Sequence, residues 1–361
     1  MYIDMKTNKR LLSLDILRGM TVAGMIMVNN GYDQPFEILT HAKWNGMTLC
    51  DLVFPFFLFI VGVSIHLSFS KFGFRPTRSL VTKILQRSFF LFVIGVAINW
   101  FDHAAWGDWN CFAHLRVWAV LQRIALSYCL ASLLVLFVNH KWICAIIACL
   151  LIIYSIVLLA GNGYSEDSSN ILARVDQFLL GTSHLYTKSP VDPEGLLGTV
   201  PSVAHVLIGF FCGGLLQKNS DKVVKARALL FVAVVLLFLG FLLSFSLPLN
   251  KRVWSPSYVL VTCGIASMLL SVLMYVVDIR GYKRWTTFFH VFGVNSLALY
   301  VASEVFSICF GVWGISEVVF SAISSAVIHP QLSSLCYAIS FVFFNFLFGY
   351  ILYRCRVFIK L

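Results

Sequence analysis

Charge is what this sequence has least of. Only 12% of its 361 residues are Asp, Glu, Lys or Arg and 59% are hydrophobic, with a mean hydropathy of +0.86. Soluble domains carry about 25% charged and roughly 45–50% apolar residues, so a soluble fold is excluded. A nucleic-acid binder is excluded with it, despite the net charge of +11. Carboxylates are scarcer still, 16 against 27 Lys and Arg, and in so apolar a chain the surplus of cations sets membrane topology. The 10 cysteines form no CxxC pair and no His/Cys ligand spacing. They indicate neither a disulfide framework nor a metal site, because a thiol in an apolar window behaves as a small hydrophobe. No window alternates with period two, which excludes barrel strands. The first apolar window is not expected to be a cleavable signal, because Asp15 and Arg18 interrupt it and no small-residue cleavage site follows.

What is present is a series of apolar windows of bilayer length. They cover residues 11–31, 49–70, 80–101, 115–138, 141–161, 198–217, 224–247, 256–277, 288–309 and 332–353. The expectation is an all-α polytopic integral membrane bundle of about ten transmembrane helices, with residues 1–361 as a single domain. With the N-terminus in the cytoplasm, 19 Lys and Arg fall on inner connectors, 6 on outer ones, and Arg18 and Arg123 lie within spans. That asymmetry places both termini inside. The outer connectors are 32–48, 102–114, the long loop 162–197, 248–255, and 310–331, the last expected as an interfacial segment. They are mostly longer than the basic inner turns, so function is expected to face outward.

Ionisable groups inside spans are costly and mark bundle interiors or wet cavities. Asp15, Arg18 and Asn29 of span one fall within about 60° of arc along roughly 21 Å, a polar helix face running from inner to outer side. Asp15 and Arg18 equally fit a plain i, i+3 pair. In span nine Asn295, Ser296, Tyr300, Ser303 and Glu304 put much of their polarity on one side, and Arg123 of span four is a candidate partner for Glu304. The densest polar cluster runs from Thr40 to Asp51 at the outer mouth. His41 there fits a general base or acyl acceptor, since imidazole exchanges protons near working pH. Asp51 and Thr48 equally fit helix N-caps, and Trp44 an interface anchor; spacing alone does not choose. Asp192-Pro193-Glu194 reads as a helix start. Trp100, Trp106, Trp109 and Trp118 fit an interfacial belt or a sugar platform, and His103 and His114 beside them lack zinc-like spacing.

These residues resemble the heparan-α-glucosaminide N-acetyltransferase family. The motifs are RLLSLDILRG from Arg10, Val28-Asn29, HAKWNGMTLCDLVFP from His41, Leu121-Gln122-Arg123, DPEGLLGT from Asp192, PLNKRVWSPSY from Pro248, and Asn295-Ser296 followed by Tyr300 and Glu304. The resemblance implies transfer of an acetyl group from cytosolic acetyl-CoA, as co-substrate and with no metal, to an amino sugar on the far side of the membrane. It assigns the catalytic histidine to His41 and its partner asparagine to Asn29, with Asn30 as the alternative, and adds Asp51 to the catalytic set. Substrate and cofactor contacts are expected from Asp15, Arg18, Asn30, Trp44, Asn45, Gln122, Arg123, Glu194, Asn250, Trp254, Ser257, Asn295, Ser296 and Glu304. The first motif begins ten residues into the chain, which suits a compact bacterial form in the cytoplasmic membrane, surrounded by lipid, open to homo-oligomerisation and acting on a periplasmic glycan acceptor through nitrogen or oxygen. The competing expectation is a transporter of a small polar solute, for which Asp15, Arg18, Arg123 and Glu304 would serve ion coupling. Faint internal repetition and the cluster around His41 count against it.

Overall fold

A computed structural model of the protein describes residues 11–218, 221–327 and 329–359. Of the basic inner set, Lys6, Lys9, Arg10 and Lys360 lie outside the described residues. Those described form helices and no strands: α1 (Leu12–Asn29), α2 (Cys50–Phe69), α3 (Arg78–Ala105), α4 (Val120–Phe137), α5 (Ile143–Ala160), α6 (Ile171–Leu180), α7 (Thr199–Lys218), α8 (Lys222–Ser244), α9 (Pro256–Leu273), α10 (Thr286–Val294), α11 (Ser296–Val312), α12 (Ile315–Ala326) and α13 (Pro330–Arg354). Among the described residues nine helices are long and apolar enough to cross a membrane, and α10 with α11 forms a tenth unit. The apolar windows of the sequence therefore locate the spans to within a few residues.

The bundle is built around α7. Its apolar window is 78% buried, against 22% for α3, α5 and α8, which turn Phe89, Ile156, Phe231 and Phe238 outward. Lipid is as apolar as leucine, so helices in a bilayer are held by close packing more than by hydrophobic burial. Gly62 of α2 and Gly209 of α7 meet that need: a Cβ on either would run into the partner helix's backbone.

Two sequence expectations are corrected here. The ninth window is not one straight helix, because α10 and α11 meet at 87°. Asn295 sits at the break with non-helical φ −119° and ψ 35°. Its Nδ2 donates to Val357 O and its Oδ1 accepts from Ile359 N, both at 3.0 Å. The side-chain amide thus ties the chain beyond α13 to the break. Asn295 consequently lies off the helix that carries Ser296, Tyr300 and Glu304, and α10 lies against the start of α1, with Gly293 on Asp15 and Phe289 on Gly19. The start of α1 and the end of α13 therefore occupy one rim of the bundle.

The second correction concerns the polar face of α1. Arg18 joins three helices at that rim, with Nη1 3.2 Å from Asp15 and 3.4 Å from Gly293 O and Nη2 2.9 Å from Ser64 Oγ. Asn29 lies at the opposite end. Between them Val22 and Ile26 are fully buried in a cluster with Phe292, Leu299 and Phe341. The polar face is interrupted by an apolar plug.

Candidate active site

At the rim opposite the start of α1, Asp51 organises the segment before α2. The residue preceding the helix is Leu49, which makes no side-chain cap bond, so neither Thr48 nor Asp51 is its N-cap. Instead Asp51, in the first turn and fully buried, sends its carboxylate back into the loop. Oδ2 accepts from Ala42 N, Thr48 N and Thr48 Oγ1, each at 3.1 Å. Oδ1 lies 2.8 Å from His41 Nδ1. The pairing makes Nδ1–H the donor and frees Nε2 as the basic nitrogen.

A cation completes the group. Lys251 Nζ lies 3.0 Å from His41 Nδ1, 3.2 Å from Nε2 and 3.6 Å from Asp51 Oδ1, and Cys50 Sγ is 3.1 Å from Nδ1. The His41 side chain remains 52% exposed while that of Asp51 is 1% exposed. An open imidazole is thus oriented by a buried carboxylate with an ammonium beside it.

The loop before α9 aims Lys251. Asn250 N donates to Ser255 Oγ, Asn250 Oδ1 accepts from Val253 N, and Ser257 Oγ donates to Leu247 O. Asn250 Nδ2 donates to Asn45 Oδ1 at 3.1 Å and Gly46 N to Leu249 O at 2.8 Å, joining this loop to the one carrying His41. Trp254, at φ +51°, is buried edge-on to Phe54 and Tyr258, and Tyr258 Oη donates to Asp51 O at 2.6 Å. Trp44 is half-buried and donates to Tyr164 O, so it ties two loops together rather than standing free at the interface.

Arg123 and Glu304 do not pair. Arg123 is buried on α4, donating to Pro193 O at 2.9 Å and Gly195 O at 2.7 Å, with its guanidinium 5.2 Å from the Trp254 ring. The helix-start reading of residues 192–195 also fails, since α7 begins after a short turn at Leu196–Gly198. Asp192 and Glu194 clamp Arg116 instead, at 2.6 and 2.9 Å. Burial alone would raise the Glu194 pKa; Arg116, Arg123 and Lys251 outweigh it and hold the carboxylate below its usual range.

Glu304 accepts from Asn29 Nδ2 at 3.3 Å, and Tyr300, one turn earlier, bonds the same carboxylate. Asn30 spends both amide atoms on packing, donating to Ile26 O and accepting from Ser307 Oγ. Glu194 lies within electrostatic reach of both Lys251 and Tyr300. Gln122 is fully buried with neither amide atom partnered among the described residues; Gly95 makes room for it. Asp15, Arg18, Asn295 and Ser296 belong to the other rim.

Residues 10–245 match the family model described as heparan-alpha-glucosaminide N-acetyltransferase, catalytic. The chain belongs to this family. Human heparan-alpha-glucosaminide N-acetyltransferase is 30% identical over 356 residues, which covers 82% of this chain and 53% of the human protein. The mouse protein of the same name is 29% identical over 355 residues, with the same shares. The chain thus spans about half the length of these relatives. The family match takes in Asn29, His41, Asp51 and Glu194 but stops short of Lys251. Lys251, Cys50, Arg116 and Tyr258 are the site residues that sequence reasoning missed. One signal was available for Lys251: it is a cation on a connector expected to be outer, where cations are disfavoured.

Proposed function

We propose that the protein transfers an acetyl group from cytosolic acetyl-CoA to an amino sugar or related glycan acceptor at the rim carrying His41, with that rim facing the periplasm of a bacterial cytoplasmic membrane. The observation that carries this reading is the Asp51–His41–Lys251 group, in which one ring nitrogen is oriented by a buried carboxylate and the other, the basic one, faces the Lys251 ammonium at 3.2 Å. His41 Nε2 takes the proton from the acceptor amine as its nitrogen attacks the thioester carbonyl. The C–S bond then breaks and the proton passes to the departing CoA sulfur. Oxyanion donors are worth most when pre-aimed in a low-dielectric site; Lys251 and the Asn29 amide take that role. The human and mouse relatives are named for N-acetyl transfer to a glucosaminide, which supports an acetyltransferase reading.

The acyl arm has to reach the far rim. Val22 and Ile26 close the α1 face, so we assign its route to the side of α4 and α7 where Gln122, Ser127, Ser132 and Thr199 hold buried polar atoms without partners among the described residues. The test is incubation of purified protein with acetyl-labelled CoA and an amino-sugar panel. Acceptor-dependent release of free CoA with label on the sugar is expected. Proteoliposome flux of intact solute with no thioester cleavage would overturn the reading in favour of a transporter.

A further inference from the structure

The loop between α3 and α4 brings together three residues that the acetyl-transfer reading does not use. His114 Nε2 lies 2.8 Å from Asp108 Oδ2, His103 Nδ1 lies 3.8 Å from the same oxygen, and all three ligand atoms fall within 4.8 Å of one another. Tetrahedral zinc with bonds of about 2.0–2.1 Å holds its ligands roughly 3.3 Å apart, which this triangle brackets. Sequence spacing hides the group because two ligands come from a helix end and the third returns through a separate turn.

The backbone builds the arrangement. α3 closes in a Schellman motif: Gly107, at φ +96°, donates to Ala104 O at 3.0 Å and Asp108 N donates to His103 O at 3.0 Å. That motif usually sets an apolar pair across its ends; here His103 and Asp108 occupy those two positions. A short turn at Cys111–Ala113 then returns His114, whose N bonds Cys111 O. Trp100 packs edge-on to Trp109 and donates to its carbonyl, bracing the loop. The side chains of His103, Asp108 and His114 are 37%, 43% and 51% exposed, which leaves room for water as a fourth ligand.

We propose that His103, Asp108 and His114 form a binding site for a divalent first-row transition ion, with Zn²⁺ as the fitting case, stapling the end of α3 to the loop that carries Arg116. Two imidazoles and one carboxylate suit zinc-class ions, whereas Ca²⁺ and Mg²⁺ take all-oxygen shells.

The test uses the full chain in detergent micelles, stripped with chelator and dialysed against Zn²⁺, with Co²⁺ as an absorbing probe. A single saturable equivalent of Zn²⁺ that displaces Co²⁺ and its visible bands is expected. His114→Ala and Asp108→Asn should each weaken binding by at least the roughly 10- to 100-fold that loss of a supporting group costs a metal site. His41→Ala should keep the full equivalent, which rules out the Cys50–His41 group as the binder. Zn²⁺ should raise the thermal midpoint of the wild type and not that of Asp108→Asn. If either single variant fails to run as a monodisperse species, His103→Gln/His114→Gln is read in its place. A wild type without a saturable equivalent, or an equivalent that survives loss of both histidines, overturns the proposal.

Discussion

Two histidine–aspartate pairs stand at the same rim with the same separation. His41 Nδ1 is 2.8 Å from Asp51 and His114 Nε2 is 2.8 Å from Asp108. Their carboxylates differ: the Asp51 side chain is 1% exposed and that of Asp108 is 43% exposed. Asp51 also accepts two backbone N–H groups and a hydroxyl and has Lys251 at 3.6 Å. Its lone pairs are committed, so what it can still do is orient the imidazole. Asp108 keeps open lone pairs and faces a second ring, which is an arrangement for ligation. Distance does not separate the two pairs; burial and the prior commitments of the oxygen atoms do.

Substitutions at the two pairs should therefore diverge, beginning with the largest effect. His41→Ala should abolish acetyl transfer and leave CoA binding largely intact, measured by turnover and by retention of labelled CoA. Asp51→Asn, which keeps the shape and loses the tautomer control, should lower kcat by about 10⁴-fold, the scale seen when an orienting aspartate is neutralised. Asp108→Asn should leave turnover at the wild-type level. Equal losses at Asp51 and Asp108 would break the contrast. Asn29→Ala should cost on the order of 100-fold in kcat, the worth of one oxyanion donor, while Asn30→Ala leaves kcat unchanged because both its amide atoms are spent on packing. The reverse pattern would move the role to Asn30.

The spans and the polar cluster from Thr40 to Asp51 were legible in the sequence for a common reason, that both are local, whereas the pairing of His41 with Asp51 was not chosen over a helix N-cap by spacing alone. Apolar windows set helix positions, and His41 and Asp51 lie within one motif, 10 residues apart. What was hidden comes from distant chain. Lys251 reaches His41 across 210 residues, and Arg123 finds carbonyls 70 and 72 residues away rather than the carboxylate of Glu304. Hydropathy carried straight through Asn295, since one polar residue barely lowers a window average. Its amide breaks the helix because the chain after α13 is there to receive it.

A third carboxylate at this rim sharpens the comparison through stability, the smallest effect expected. Asp176 on α6 is buried, accepts Leu196 N at 2.8 Å through Oδ1, and has no partner for Oδ2 among the described residues. Burial pushes its pKa from 3.8 to about 6, against the lowering pull of the Leu196 bond and Arg123. Because the folded state holds this proton more tightly than the unfolded chain, the stabilisation is fully present below pH 3.8 and is lost as pH rises through about 6. At about 1.36 kcal/mol per unit the loss is at most about 3 kcal/mol. Asp176→Asn keeps an oxygen for Leu196 N and removes the buried charge. It should raise the thermal midpoint in detergent at pH 7.5, with the difference vanishing toward pH 4. A difference that stays constant across that range would mean the partnerless Oδ2 costs stability by its polarity and not by its charge. Asp176 would then resemble Asp51 in burial without sharing the donors that make burial of a carboxylate tolerable.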